Sequence, residues 1–272
     1  MRTTNGAADY IELGGVRLDG YGWNYDKAVG ASAPAVRSAA VSMPGRPGRV
    51  YVAGTDVHDP AEVVLQLHVQ PRNPITGAKP GTWGAARAQL EDNLQTLLGL
   101  VGSPGRATSY VYVDADGERW TAQAVVVTPA KVKVRDSNLT AEITVTVELP
   151  GVYLRSEEIN AATVQPGASQ SIFGLGGGTA PIYDALLTLP SGVRVESGGQ
   201  WIVYRGAGAA QVDCGNMTAV NTVTGASVMK DMGWSGSAML PLIPSIDPDG
   251  GHQYKVTTDN VISIVARKAR FA

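Results

Sequence analysis

The side chains best equipped for chemistry are few and scattered. His58, His68 and His252 are the only three histidines, they lie far apart in sequence, and none sits at metal-ligand spacing or beside a nucleophile it could activate. Thr55-Asp-Val-His-Asp59 offers carboxylates and an imidazole to a metal, yet it runs directly into Pro60, and an Asp-Pro step reads as a solvated turn. Asp247-Pro-Asp-Gly-Gly251 resembles the start of a calcium loop but lacks the later acidic ligands, so a β-turn accounts for it. Gly174-Leu-Gly-Gly-Gly178 has neither the Lys-Ser/Thr pair of a phosphate loop nor a strand-to-helix passage around it, and reads as a flexible connector. Glu157 and Glu158 are adjacent, so on a strand they point to opposite faces and do not flank a glycosidic bond together. Cys214 is the only cysteine, which excludes an internal disulfide and a zinc site of several thiolates, and it reads as a small buried hydrophobe. Trp120, Trp201, Trp234, Tyr204 and Tyr254 would stack on sugar rings only if exposed together, and large aromatics of this kind are more often core. The expectation is a protein with no catalytic residues, no metal site, no cofactor and no enzymatic activity.

Composition points the same way. At 272 residues the chain exceeds the usual size of one domain, so two are expected. Lys and Arg total 22 against 24 Asp and Glu, and a net charge of -2 gives no general attraction to nucleic acid or to an anionic membrane. The 33 glycines and 16 prolines, with Val and Thr in short runs, are the composition of many strands separated by many turns. Residues 1–10 contain no apolar run that would serve as a secretory signal, and no stretch approaches the roughly 20 apolar residues that span a bilayer. A soluble protein folding in a cytoplasm, without membrane anchoring, is expected.

The elements that would position these residues follow from periodicity. Residues 10–18 read as a hairpin about Gly14-Gly15, and residues 21–44, rich in alanine, read as an extended arm leading to Gly45-Arg-Pro-Gly-Arg49. Strands are expected at 50–53 and 62–70, the second with Val63, Leu65, Leu67 and Val69 on one face. Trp83, Ala86, Leu90, Leu94, Leu97 and Val101 step by three or four and predict one helix over about 83–101, capped by Thr82 and ended by Gly99 with Gly102 in the left-handed conformation. A hairpin about Asp116-Gly117 joins 108–114 to 118–127. Residues 139–149 alternate strictly, and a turn at 135–138 would set Val134 against Leu139 and Lys131 against Glu142. The predicted architecture is mainly β: an amino-terminal β domain with one helix over 1–155, a Gly/Ser/Pro-rich linker over 156–180, and a β-sandwich over 181–272.

Several stretches resemble the distal tail protein, or first minor tail protein, of siphophages, especially those of actinobacteria. They are Gly45-Arg-Pro-Gly-Arg-Val-Tyr-Val52, the helix, Val145-Thr-Val-Glu-Leu-Pro-Gly-Val152, Gly178-Thr-Ala-Pro-Ile-Tyr-Asp184, Gly199-Gln-Trp-Ile-Val-Tyr-Arg-Gly206, Val212-Asp-Cys214 and Leu240-Pro-Leu-Ile-Pro244. The resemblance implies a hexameric ring of amino-terminal domains at the virion tail tip, with a galectin-like carboxy-terminal sandwich outside it. It implies a tail tube protein above, a tail-tip protein below, possible contact with the tape-measure protein, and DNA passing through the lumen without specific binding. A carbohydrate-binding adhesin is the alternative function, and a hydrolase of cell-wall glycans a third.

Overall fold

The computed structural model describes residues 9–29, 60–102, 105–127, 131–135, 137 and 139–271, with the two-residue strands Val36–Arg37, Ala40–Val41, Val50–Tyr51 and Val57–His58. The expected strand at 50–53 shows as Val50–Tyr51, paired with Ala40–Val41. The Gly45–Arg49 and Thr55–Asp59 motifs, as sites, lie outside the described residues. Backbone contacts divide the chain into two units, one holding residues 1–35, 59–154 and 271–272 and the other residues 36–58 and 155–270.

The first unit is an antiparallel sheet under a helix. Its strand order is Val16–Arg17, Tyr10–Leu13, Ala107–Val113, Arg119–Val126, Thr140–Leu149, Ala61–Val69, Trp23–Val29. Strict period-two alternation explains the two central strands: Val63, Leu65, Leu67 and Val69 face Val147, Val145, Ile143 and Ala141 across the ladder, all buried on one face. The opposite face carries Glu62, Gln66 and His68 beside Glu148, Thr144 and Glu142. Both expected hairpins form. Gly14 and Gly15 adopt φ of 58° and 80° at the first. At the second, the Asp114 carboxylate accepts from the Asp116 and Glu118 amides and from the Trp120 indole, which ties the turn to the strand it launches.

Helix α1 spans Trp83–Val101, and the Thr82 hydroxyl accepts from the Ala85 amide at its start, as the sequence predicts. Its end differs from expectation. Gly102 stays right-handed at φ -83°, and glycine is needed there because a Cβ would lie 2.4 Å from the Leu98 carbonyl oxygen. Leu90, Leu97 and Val101 are buried against the sheet, whereas Leu94 is only partly covered. Asn93, a polar residue on the inner side of the helix, is 2% exposed because its Nδ2 donates to the Gln70 and Arg72 carbonyls at 2.8 Å each.

The second unit is a β-sandwich of two antiparallel sheets. One orders Asn160–Val164, Ile262–Ala266, Leu186–Leu189, Ala210–Asp213, Thr218–Asn221. The other orders Gly167–Ser171, His252–Thr258, Val193–Ser197, Gln200–Tyr204, Met232–Trp234, with Pro244–Ile246 beside the start of His252–Thr258. Leu187, Leu189, Val212 and Ile264 from the first sheet and Val195, Ile202, Tyr204 and Val256 from the second are fully buried. Two expectations are corrected here. Residues 156–180 are no linker, since they contribute Asn160–Val164 and Gly167–Ser171, each paired into a sheet. Gly174–Gly178 is no free connector: Leu175 is fully buried, Gly177 donates to the His252 carbonyl, and Gly178 leaves room for the Tyr254 ring.

Candidate assembly surface

Among the described residues the chemically able side chains are not brought together. His68 lies on the polar face of the first sheet opposite Glu142, His252 opposes Ile246 in the second unit, and the His58 side chain lies outside the described residues. Among the described residues no three His, Cys, Asp or Glu side chains could hold a metal ion, and no helix is long and apolar enough to cross a membrane. Glu157 and Glu158 sit in the loop after Ser156, whose hydroxyl accepts from the Glu158 amide. The Asp247–Gly251 segment is the turn the sequence predicts, with Gly250 at φ 80° and the Asp247 amide donating to the Gly251 carbonyl. Trp120, Tyr204 and Tyr254 are core residues, and the half-buried Trp201 is stacked under Arg194 at 4.8 Å. These rings make no sugar platform.

Cys214 is 4% exposed, and burial, with Asp213 adding to it, pushes its thiol up to about 12. A thiol so protonated and covered is a poor nucleophile. Ellman's reagent at about pH 8 is therefore expected to label the native protein orders of magnitude more slowly than the denatured chain. Fast native labelling would contradict that environment.

The surface that stands out is a strand edge. Lys131–Arg135 continues past the end of Arg119–Val126 along the same side of Thr140–Leu149, pairing Lys131 with Thr144 and Arg135 with Thr140. The expected register is thereby corrected by two residues, because Val134 meets Ala141 rather than Leu139, and Leu139 takes φ 48° in a longer connection. A shift of two preserves the faces, so Val132 and Val134 still share the side of Ile143 and Ala141. Beyond Lys131–Arg135 no further described strand pairs, and Val132 and Val134 are 40% and 50% exposed. On the other face Lys131, Lys133 and Arg135 line up, with Arg135 2.6 Å from Glu142.

Four strands thus form a ribbon with Lys131–Arg135 and Trp23–Val29 outermost, and the outer side of Trp23–Val29 is met by the chain itself, the Tyr25 amide donating to the Leu18 carbonyl at 2.8 Å. Cross-strand rows run level through it: Val134, Ala141, Val69 and Trp23 in one, Val132, Ile143, Leu67 and Tyr25 in the next. Each neighbouring pair is antiparallel, so the two outer edges also run in opposite directions. Trp23–Val29 corrects the arm reading for its first residues, while most of residues 30–44 lie outside the described residues. Its signal is hidden by a bulge between Tyr25 and Lys27, which breaks the period of two.

No protein-family model matches this chain, and no curated protein matches it. Among solved structures it is similar to the Dit protein of phage SPP1, described as a paradigm of the hub adsorption apparatus in phages infecting Gram-positive hosts, with TM-score 0.57 and 13% identity over 96% of this chain and 99% of that one. Looser matches are chains of the phage P2 baseplate in its activated conformation, with Ca at TM-score 0.38 and 9% identity over 97% and 100% of the two chains. With Sr the values are 0.37 and 10% over 96% and 98%. The likeness to the SPP1 protein shows a shared fold across both units.

Proposed function

We propose that this protein is a structural subunit of a bacteriophage tail tip, a distal tail or baseplate hub protein that assembles into a closed ring and joins the tail tube to the tail-tip or receptor-binding apparatus. The observation that carries the reading is the Lys131–Arg135 edge of the first unit's sheet, whose outer side pairs with no described strand and leaves Val132 and Val134 exposed. Its outward N–H and C=O groups suit pairing with a segment of an adjoining copy, a head-to-tail contact that a rotation repeats. Repetition of that contact around a closed circle leaves the Lys131–Arg135 edge covered in every copy. The fold shared with the SPP1 hub protein supports the same reading. In it, residues 1–155 form the ring and the galectin-like sandwich lies outside, on the virion tail tip after assembly in the host cytoplasm.

The hexameric number comes from the family the sequence resembles. So do the partners: a tail tube protein above, a tail-tip protein below, the tape-measure protein as a further contact, and DNA crossing the lumen without specific binding. A net charge of -2 suits a subunit that must not hold that DNA. The adhesin reading is weakened by the burial of Trp120, Tyr204 and Tyr254 in the core. Light scattering and negative-stain images of the full-length protein over rising concentration provide the test, with discrete rings expected. Open filaments or a monomer at the highest concentration would overturn the ring.

A further inference from the structure

We propose that the Lys131–Arg135 edge is electrostatically keyed: it admits an extended segment of an adjoining copy that turns carboxylates toward Lys131 and Lys133 and apolar side chains toward Val132 and Val134. The proposal rests on the ring reading and adds the chemistry of the segment that the edge accepts. Its starting point is the strict alternation Lys-Val-Lys-Val-Arg, which puts three cations on one face of the sheet and two valines on the other. All five residues are exposed, and no described strand pairs with the outer side of theirs.

The cations outnumber the carboxylates that their own sheet offers them. Lys131 faces Thr144, Lys133 faces Glu142 and Arg135 faces Thr140 across the ladder. Glu142 is the one carboxylate among those partners, and Arg135 takes it at 2.6 Å. The next strand brings Gln66 and His68 to the first two of these rows and adds no acid. Lys131 and Lys133 enter no ion pair with any described residue. Directly opposed side chains on paired strands stand about 4.5–5.5 Å apart, so an added strand is where compensating carboxylates would stand. The same spacing sets the apolar residues of that strand beside Val132 and Val134, which are 40% and 50% exposed.

Lysine on an edge can also serve only to keep other strands away. Edges guarded in that way are commonly very short, bulged or interrupted by proline. Lys131–Arg135 instead pairs in unbroken register with Thr144 to Thr140 and leaves two β-branched residues uncovered on its other face. Its lysines select rather than block. They oppose a second Lys131–Arg135 edge, because pairing the two would set like charges against each other. A two-fold dimer through this edge is thereby disfavoured, and the contact left open is head to tail, the kind that closes a ring of more than two copies. An acidic segment of an adjoining copy is the occupant that answers both the charge and the direction of that contact.

Sedimentation velocity of the full-length protein over rising concentration provides the test. Lys131→Glu/Lys133→Glu is expected to weaken self-association by about 100-fold with an unchanged circular dichroism spectrum. Lys131→Glu alone, at the position that faces Thr144 and away from the Arg135–Glu142 pair, should weaken it by about 10-fold. Lys131→Arg/Lys133→Arg should assemble like wild type. Raising the salt concentration from about 0.05 M to about 0.5 M should loosen the wild-type assembly. Glutamate variants that form rings with the wild-type concentration dependence, or assemble more tightly, would overturn the key and leave the ring standing. A wild-type protein that stays monomeric at every concentration would overturn the ring and the key together.

Discussion

Tyr254→Ala is expected to destabilise the second unit by about 3–5 kcal/mol, read from the shift of its denaturant-unfolding transition. The ring is fully buried in the sandwich, and Gly178 is compatible with it only because a Cβ there would lie 2.4 Å from the phenol oxygen. Truncation leaves a cavity that so closely packed a neighbourhood cannot refill. The hydroxyl acts separately from the ring. It donates to the Ala180 carbonyl at 2.6 Å and lies 3.2 Å from the Ala269 carbonyl, joining two segments that are distant in sequence. Tyr254→Phe keeps the packing and leaves those carbonyls without the donor, which costs about 1–3 kcal/mol. Burial also pushes the phenol from 10.0 up to about 12. The folded state then holds this proton where the unfolded chain has lost it, so the contribution is complete below about pH 10 and fades as pH rises through about 12. In Tyr254→Phe that part of the alkaline loss should vanish. Equal alkaline slopes in the two proteins would contradict the assignment.

Leu97→Ala is expected to cost the first unit about 2–5 kcal/mol in the same measurement. Leu97 is completely buried between the helix and the sheet, and a helix of this length with so few buried anchors draws its stability from packing rather than from propensity. Leu94→Ala should cost distinctly less, because Leu94 sits at the margin of the core and its truncation opens toward solvent rather than into a sealed cavity. If the two substitutions shift the transition equally, or neither does, the helix is not seated as described.

This contrast shows where sequence reading stopped. Periodicity alone placed both leucines on the helix stripe, but the stripe is wider than the contact. The inner side of the helix also carries Asn93, which no hydrophobic pattern marks, because its burial depends on two carbonyls more than twenty residues earlier. The same stripe extends to Trp83, which is 61% exposed. A stripe records which side of a helix is apolar, and only tertiary packing shows how much of it the chain itself buries.

Local chemistry determined the parts that local interactions settle. The alternation at 139–149, the Thr82 cap, and the Gly14-Gly15 and Asp116-Gly117 turns were legible from residue types and spacing. Each is an interaction between residues a few positions apart, so the sequence displays it directly. The tertiary structure alone decided the two-residue shift between Lys131–Arg135 and Thr140–Leu149, since shifts of two leave every side chain on its own face and the pattern cannot tell them apart. It alone recovered Trp23–Val29, whose bulge interrupts the period, and the two strands within residues 160–171, whose Gly, Ser and Thr become strand only because His252–Thr258 and Ile262–Ala266 offer them ladders. The candidate assembly surface belongs to this second class. An unpaired edge is a property of which strands end up adjacent, and that adjacency arises from pairings between residues far apart in the chain.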